Sequence, residues 1–524
     1  MGLLSIFNIN NLKAVFRTLH QNGFRTMYIR SMITIRESYT YPKWYKKKKV
    51  TPDSLIKQKA QQTDFELYPK ISIIVPTYNT PIDFLHEMIQ SVTSQSYSNW
   101  ELCIADASCQ NAEIRSILNE YAKNDERIIV SFLNENKGIS GNTNEALKLA
   151  TGDFIALFDH DDLLEPDCLY EVVSTINKHP DAEILYTDED KVNGTATTHD
   201  YPTFKPALNP LLLQSCNYIT HFFVFRKDIY KKTGAFSSAH DGSQDYNYII
   251  RTITNARHVY NIPKILYHWR VHSGSVAGDP AQKQYCYDAA RRSIQEHLDQ
   301  QGILASVSID EGLIGCYHTT YLKEQSTSDI ALISTSQCTI SDFIAQVNAA
   351  STPYVFISSI RGLQLTDDIL CRIESYLDLD MIGAACTKLT RKHRILSLGD
   401  TFRNGHMQGC YHNVYIEDTG YCGRTRIDQC IPICSSQAFA CKTDLLKDYL
   451  SSIDTHPITC IDEIIVGFSL FLFDLKLYIA AIANIEIRTD QKYHCRLSSD
   501  FIQANTDRLQ TASMLYAVPP YYKY

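Results

Sequence analysis

From Lys70 to Asp162 the chain alternates short apolar runs with amphipathic stretches, and this alternation restricts the fold more than any other feature. "ISIIVPTYN" (71–79) is a continuous apolar run, rich in β-branched residues and closed by Pro and Asn, the pattern of a parallel strand buried on both faces. "FLHEMIQSVTSQ" follows, with Leu85, Met88, Ile89 and Val92 at helical spacing. "WELCIAD", "RIIVSFL" and "DFIALFD" read as further strands, with "EIRSILNEYAK" and "GNTNEALKLA" as helices between them. Short links between alternating strands and helices predict an α/β fold built on a doubly wound sheet. Ligands of such sheets bind in the crevice beyond the carboxyl ends of the strands.

That rule selects candidates. Tyr78 and Asn79, Asp106, and Asp159 with Asp161 all lie just past apolar strands, so they are expected to converge on one crevice. "LFDHDDLLEPD" (157–167) sets Asp159 and Asp161 one residue apart, with His160 as a spacer. Two carboxylates so placed repel each other unless a cation joins them. Mg²⁺ or Mn²⁺, which take oxygen ligands and often bind phosphate as well, is the natural partner. The cluster therefore predicts a metal-bound diphosphate. Asp167 reads instead as a helix cap. Neither a Walker loop nor a G-x-G-x-x-G fingerprint occurs, so the metal has to supply the charge neutralisation.

Seven segments in order, "ISIIVPTYN", "NWELCIAD", "NKGISGNTNEAL", "GDFIALFDHDDLLEPD", "YTDEDKV", "GSQDYNYIIR" and "ILYHWRVHSGS", resemble the inverting family 2 glycosyltransferases of the GT-A fold. The resemblance runs from residue 70 to about 280 and is strongest to bacterial enzymes of O-antigen, rhamnan and cell-wall polysaccharide assembly. It implies that Pro76, Tyr78 and Asp106, with Asn79 beside them, hold the nucleobase and ribose of a nucleotide sugar. Asp159 and Asp161 match the D-x-D motif, Asp159 near the ribose or metal and Asp161 on the metal. Gly138 and Asn144 match the loop and helix start beneath the nucleotide, and Asp245 matches the catalytic base. His272 is the candidate third metal ligand and His268 the alternative, a buried or acceptor-contacting histidine being the other reading. Asp188, Asp190 and His268 are candidates for contact with the acceptor sugar, although solvated loop acids would look the same. A carboxylate would then deprotonate an acceptor hydroxyl while a metal steadies the departing nucleoside diphosphate, inverting the anomeric centre.

A chain of 524 residues exceeds one core, and residues 349–370 suggest what the remainder is. They align with 149–169 at an offset of 200, matching Phe154 to Tyr354, Leu163 to Leu363 and Asp167 to Asp367, while Asp159 becomes Ser359 and Asp161 becomes Arg361. The expected division is a basic helical extension and linker (1–66), a GT-A catalytic domain (67–304), a degenerate GT-A-like domain without D-x-D (305–505) and a C-terminal tail (506–524). Arg361 could meet an anion or a surface carboxylate. The apolar stretch 464–485 carries Asp474 and Lys476 at its centre, each costing about 2.5–3.5 kcal/mol in mid-bilayer, so a buried helix and strand are expected there.

Residues 1–50 hold ten Lys or Arg and one acid, while the whole chain is at −8. The basic start fits a solvated helical extension or a segment resting on an anionic membrane. Nucleic-acid binding is disfavoured by the acidic body. The start lacks a signal-peptide pattern and the 16 cysteines lack zinc-ribbon spacing, which fits reduced thiols and a cytoplasmic protein, at the inner face of the membrane if the basic start binds it. The partners expected are a UDP- or dTDP-sugar donor and a glycan or lipid-linked acceptor. Two other functions compete: a noncatalytic sugar-binding scaffold, against which Asp159, Asp161 and Asp245 argue, and a sugar nucleotidyltransferase, against which the missing Gly-rich phosphate loop argues.

Overall fold

The computed structural model describes residues 38–272, 284–323, 328–453 and 458–516, with Phe24, Tyr28, Ser31 and Ile35 ahead of them. Nine strands form the first sheet: β1 (Ile71–Thr77), β2 (Trp100–Asp106), β3 (Ile128–Phe132), β4 (Phe154–Leu157), β5 (Leu163–Leu164), β6 (Ile184–Asn193), β7 (His199–Thr203), β8 (Phe223–Arg226) and β9 (Val259–Val271). Their order is β3-β2-β1-β4-β8-β6-β9-β5, with β7 on the edge of β6. β1 and β2 are buried at every position, as their unbroken apolar runs require. The helix Ile82–Thr93 buries Leu85, Met88, Ile89 and Val92 against them. β1 to β4 run parallel, whereas β8 enters antiparallel between β4 and β6, so the sheet is mixed, as a GT-A α/β fold requires.

A hairpin, β10 (Ala305–Ile309) with β11 (Tyr317–Tyr321), leads into the second half. Its strands are β12 (Ile330–Ser334), β13 (Tyr354–Ser358), β14 (Ile382–Arg391), β15 (Arg394–Ser397), β16 (Asp400–Arg403), β17 (His406–Gly409), β18 (Gln429–Ile431), β19 (Ala438–Lys442) and β20 (Tyr478–Arg488). The second sheet is ordered β12-β13-β19-β14-β20-β18, with β15 on β14. Apart from β18, this is the order β1-β4-β8-β6-β9 with β7 on β6, strand for strand and with the same directions. The registers agree as well. Phe154 pairs with Arg226 and Tyr354 with Lys442; Ile184 pairs with Phe225 and Ala384 with Cys441; Asp190 pairs with His268 and Thr390 with Arg488. Nothing in the second sheet corresponds to β2 and β3 among the described residues.

The two halves are joined far more closely than a boundary at 305 suggests. One core cluster runs from Ile74 and Ile155 through Leu211, Leu212 and Phe223 to Ile382, Ala440 and Ile482. Asn209 caps the helix Pro210–Ser215 through Leu212 N and reaches across the join, donating to Cys430 O at 2.8 Å and accepting from Cys430 N at 2.7 Å. The expected tail at 506–524 also needs correction. Residue 506 falls inside the helix Ser499–Ala512, which buries Leu509 and Ala512 against the helix Ile461–Asp474; residues 517–524 lie outside the described residues. That second helix leads into β20 as the 464–485 pattern predicts, and no described helix is long and apolar enough to cross a membrane.

Candidate active site

The carboxyl ends of β1, β2, β4 and β6, the start of β8 and the end of β9 meet at one edge of the first sheet. On the β1/β2 side, Asp106 is almost fully buried and accepts from Thr77 Oγ1 at 2.9 Å and Ser108 N at 3.2 Å, while its Oδ2 has no partner. A buried carboxylate oxygen left without a donor is an unsatisfied acceptor, which a hydrogen-bonding ligand would complete. Pro76 lies in β1 opposite Ala105, and Tyr78 is exposed at its end. Asn79 takes a left-handed φ of 50° and donates its backbone N–H to Ser108 Oγ. Gly138 starts the helix Gly138–Leu147 at φ 76°, and a Cβ there would sit 3.2 Å from Asp241 Oδ2.

The D-x-D loop hangs on β9 at both ends. Asp161 Oδ2 lies 2.9 Å from His272 Nε2, and its carbonyl accepts from Arg270 Nε at 2.6 Å. Asp162, fully buried, accepts from Arg270 N at 2.7 Å and from Tyr267 OH at 2.5 Å. Burial and the neighbouring charges of Asp159 and Asp161 push its proton affinity up. β5 then pairs Leu163 and Leu164 with His268 and Tyr267. Asp159 stays half exposed, with His221 Nε2 3.5 Å from its Oδ2; the other His221 nitrogen lies 3.4 Å from Glu189 Oε2. Burial opposes a charge on His221, but the two carboxylates outweigh it and raise its pKa well above the usual value.

Asp245 stands in the first turn of the helix Gln244–Thr254, where Asn217 Nδ2 donates to its Oδ2 at 3.0 Å. Burial raises its pKa, and the charges of His221 and Asp159 act on it in opposite senses. The structure thus gathers Asp106, Asp159, Asp161, His272 and Asp245 at one edge.

Four other candidates lie elsewhere. Asn144 spends both ends of its amide on Phe236, donating to its carbonyl at 3.0 Å and accepting from its N–H at 2.9 Å, so it pins the segment before Asp245 rather than facing a donor. Asp188 is buried on β6 and accepts from Lys205 N at 2.8 Å; burial lifts its pKa to about 7. Asp190 and His268 are buried as well and bonded to each other at 2.6 Å, with His199 on Asp190 and Glu165 on His268. These three therefore have no access to an acceptor sugar, and His268 belongs to a closed cluster while His272 reaches Asp161. Asp167 sits at a helix N-cap but makes no capping bond; its nearest partner is Gln58 at 3.5 Å.

The closed cluster is where the N-terminal segment docks. In the helix over 38–48, Tyr41 OH donates to Asp190 Oδ2 at 2.6 Å and Tyr45 OH to Glu165 Oε2 at 2.7 Å, both rings buried. Nothing in the spacing of "SYTYPKWYKKKK" announces this. His221, Glu189 and Lys205 were also missed: Lys205 Nζ donates to Glu189 Oε2 at 2.8 Å and to the carbonyls of Ile219 and His221, fixing the turn that carries His221. Lys205 and Glu189 lie 16 residues apart, and the pairing of β7 with β6, which sets Thr203 opposite Glu189, brings them together.

Residues 72–234 match the family model described as Glycosyl transferase family 2. Over 232 residues, 44% of the chain, the sequence is 45% identical to an uncharacterized protein of Sinorhizobium fredii, y4gI, and covers 25% of it. Over 240 residues, 46% of the chain, it is 32% identical to the O-antigen biosynthesis protein RfbC of Myxococcus xanthus and covers 19% of it. The match thus spans a quarter or less of either relative's length. A crystal structure of S. aureus TarS 1-349 in complex with UDP-GlcNAc is 21% identical at a TM-score of 0.36, over 44% of this chain and 66% of that one.

Proposed function

Residues 72–234 are a family 2 glycosyltransferase domain, and from that premise we propose that the chain transfers a sugar from a nucleoside-diphosphate sugar to a hydroxyl of a bacterial surface polysaccharide or lipid-linked glycan. The observation that carries the reading is the convergence of Asp159, Asp161, His272 and Asp245 on the edge where Asp106 keeps an unpartnered oxygen. The relative named for O-antigen biosynthesis supports a polysaccharide acceptor.

Asp161 and His272, 2.9 Å apart, with half-exposed Asp159 nearby, offer the carboxylate and imidazole donors that Mn²⁺ or Mg²⁺ accepts. Such an ion, when bound, offsets the charge of a diphosphate. The chain's own residues account for the rest. Asp106 accepts a hydrogen bond from the nucleoside through its free oxygen, and Tyr78 and Pro76 border the same space. Asp245 takes the proton of the acceptor hydroxyl as that oxygen attacks the anomeric carbon. Burial raises its proton affinity, the direction that favours a general base. Asn217 donates to Asp245 Oδ2 and orients the carboxylate. One displacement inverts the anomeric configuration.

The second half, with the strand order of the first but neither β2 nor β3 nor the D-x-D acids, is read as a degenerate GT-A copy that makes no transfer of its own. Lys43 and Lys46 to Lys49 are exposed on and just after the helix whose Tyr41 and Tyr45 face inward, which supports peripheral contact with an anionic membrane. The test is release of nucleoside diphosphate by the purified chain with Mn²⁺ or Mg²⁺, across UDP-, dTDP- and GDP-sugars. Release from one donor that disappears with chelator and in Asp161→Asn is expected. Absence of both release and metal-dependent donor binding would sink the reading in favour of a noncatalytic partner.

A further inference from the structure

Because the two sheets agree in order and register over β4, β8, β6 and β9, the active-edge residues on or beside those strands have counterparts in the second. Along β4 and β6 the counterpart lies 200 positions on, and along the end of β9 it lies 220 on. Asp159, Asp161 and His272 then fall on Ser359, Arg361 and Lys492, and Asp188 falls on Lys388. Where the first half presents ligands for a cation, the second presents cations.

These positions are tied together at the second sheet's carboxyl edge. With its amide turned so that each end meets a complementary neighbour, Gln491 donates to Ser359 O at 3.3 Å and accepts from Arg361 N at 2.9 Å. Gln437, the counterpart of His221 in the bend just ahead of β19, accepts from Ser359 N at 3.0 Å through its carbonyl and donates from Nε2 to Lys492 O at 3.1 Å. Arg391 Nε donates to Asp490 O at 2.8 Å, which brings another guanidinium to within two residues of Lys492. Arg361 and Lys492 are exposed, and neither pairs with a carboxylate among the described residues. Beneath them the Ser359 hydroxyl is buried without a hydrogen-bond partner. Gathered cations without counter-charges repel one another, and a bound anion removes that cost. Guanidinium groups suit phosphate oxygens through paired N–H donors. The strands that would hold a nucleoside, β2 and β3, have no counterpart here among the described residues.

We propose that the carboxyl edge of the second sheet is a metal-independent phosphate site, formed by Arg361, Arg391 and Lys492, that takes a phosphate or diphosphate carrying no nucleoside. On the transferase reading, that group belongs to the acceptor glycan or to the lipid that carries or surrounds it. The former metal site has thus become an anchor for the acceptor side of the reaction while the first half keeps the donor.

Calorimetric titration of the full chain with inorganic pyrophosphate in EDTA tests this, in an Asp161→Asn background that removes the first half's metal ligand. One pyrophosphate per chain is expected, bound at least tenfold more weakly when Arg361→Gln and Lys492→Gln are added. Mn²⁺-dependent UDP binding, measured with Asp161 intact, is expected to be unaffected by the two glutamines. Because both positions are exposed, the pair should keep the parent's thermal midpoint; Arg361→Lys alone should restore part of the affinity and thereby separate charge from folding. No binding in EDTA, or equal affinity in parent and variant, would overturn the proposal. Flotation with phosphatidylglycerol or phosphatidylcholine vesicles then distinguishes the two sources. Loss of phosphatidylglycerol binding along with pyrophosphate binding supports a lipid headgroup, whereas retained vesicle binding supports a phosphate on the acceptor. Failure of donor turnover would remove the transferase reading without altering the pyrophosphate result.

Discussion

Asp245 and Asp161 separate two demands on a carboxylate. Burial raises the proton affinity of Asp245 even though Asn217 and neighbouring backbone N–H groups bond its carboxylate; Asp161 is tied to His272 and keeps access to the crevice. Asp245→Asn should lower turnover by at least about 100-fold, the scale of a lost general base, and leave donor affinity within twofold by calorimetry. Retained turnover would remove the base assignment. His272→Ala should instead raise the Mn²⁺ concentration needed for half-maximal donor release by about tenfold or more and alter turnover little at saturating metal. The D-x-D acids and Asp245 were legible in the sequence because each directly follows an apolar strand or opens a helix. His221, Glu189 and Lys205 were not, since their union depends on β7 folding back on β6 and on β8 entering antiparallel between β4 and β6, which no local pattern encodes. Asn144 was misread for a related reason: its amide is directed by the distant Phe236 backbone, not by the loop it follows.

The N-terminal helix shows how an element can look like an appendage and behave as a strut. Its two tyrosine hydroxyls reach carboxylates on β6 and just after β5, and His268 on β9 joins the same two carboxylates. Removing a hydrogen bond to a buried charged group costs about 1.5–3 kcal/mol. Tyr45→Phe should cost that much in urea unfolding and expose the Lys46 to Lys49 run to trypsin; full protection in the variant would mean the hydroxyl is dispensable. Burial works against a charge on His268, but Asp190 and Glu165 prevail and lift its pKa from 6.5 to about 9. The folded value exceeds the unfolded one, so this stabilisation is complete below about pH 6.5 and is lost as pH rises through about 9. Unfolding free energies measured from pH 6 to 10 should fall over that window in the parent, and the fall should be shallower in His268→Gln. The helices and parallel strands of the first half were readable from periodicity, whereas this docking was not, because aromatic and basic residues alternate in the same way on a solvated helix.

At the scale of the whole molecule, the shared core makes the halves one cooperative body. Leu211, Leu212 and Phe223 pack in the same cluster as Ile382 and Ile482, so a cut at residue 304 would expose a broad apolar face on each piece. Calorimetry of the full chain should give a single endotherm, and separately expressed 67–304 should aggregate; two resolved transitions would show that the halves are independent. The repeat itself was partly legible, because the segment around 349–370 kept its spacing, but its extent emerges only from strand order, since little side-chain identity survives on β12, β14, β19 and β20. The join is made largely by side chains grasping main chain: Asn209 on Cys430, Ser215 on the Asp428 carbonyl, Tyr421 on Pro202 and Phe204. Main-chain atoms are the same in every residue, so Cys430, Asp428 and Pro202 can drift in identity without loosening those bonds, provided the trace is kept. An arrangement of this kind gives a duplicated half wide latitude to shed its original chemistry by substitution while making its outright deletion ruinous.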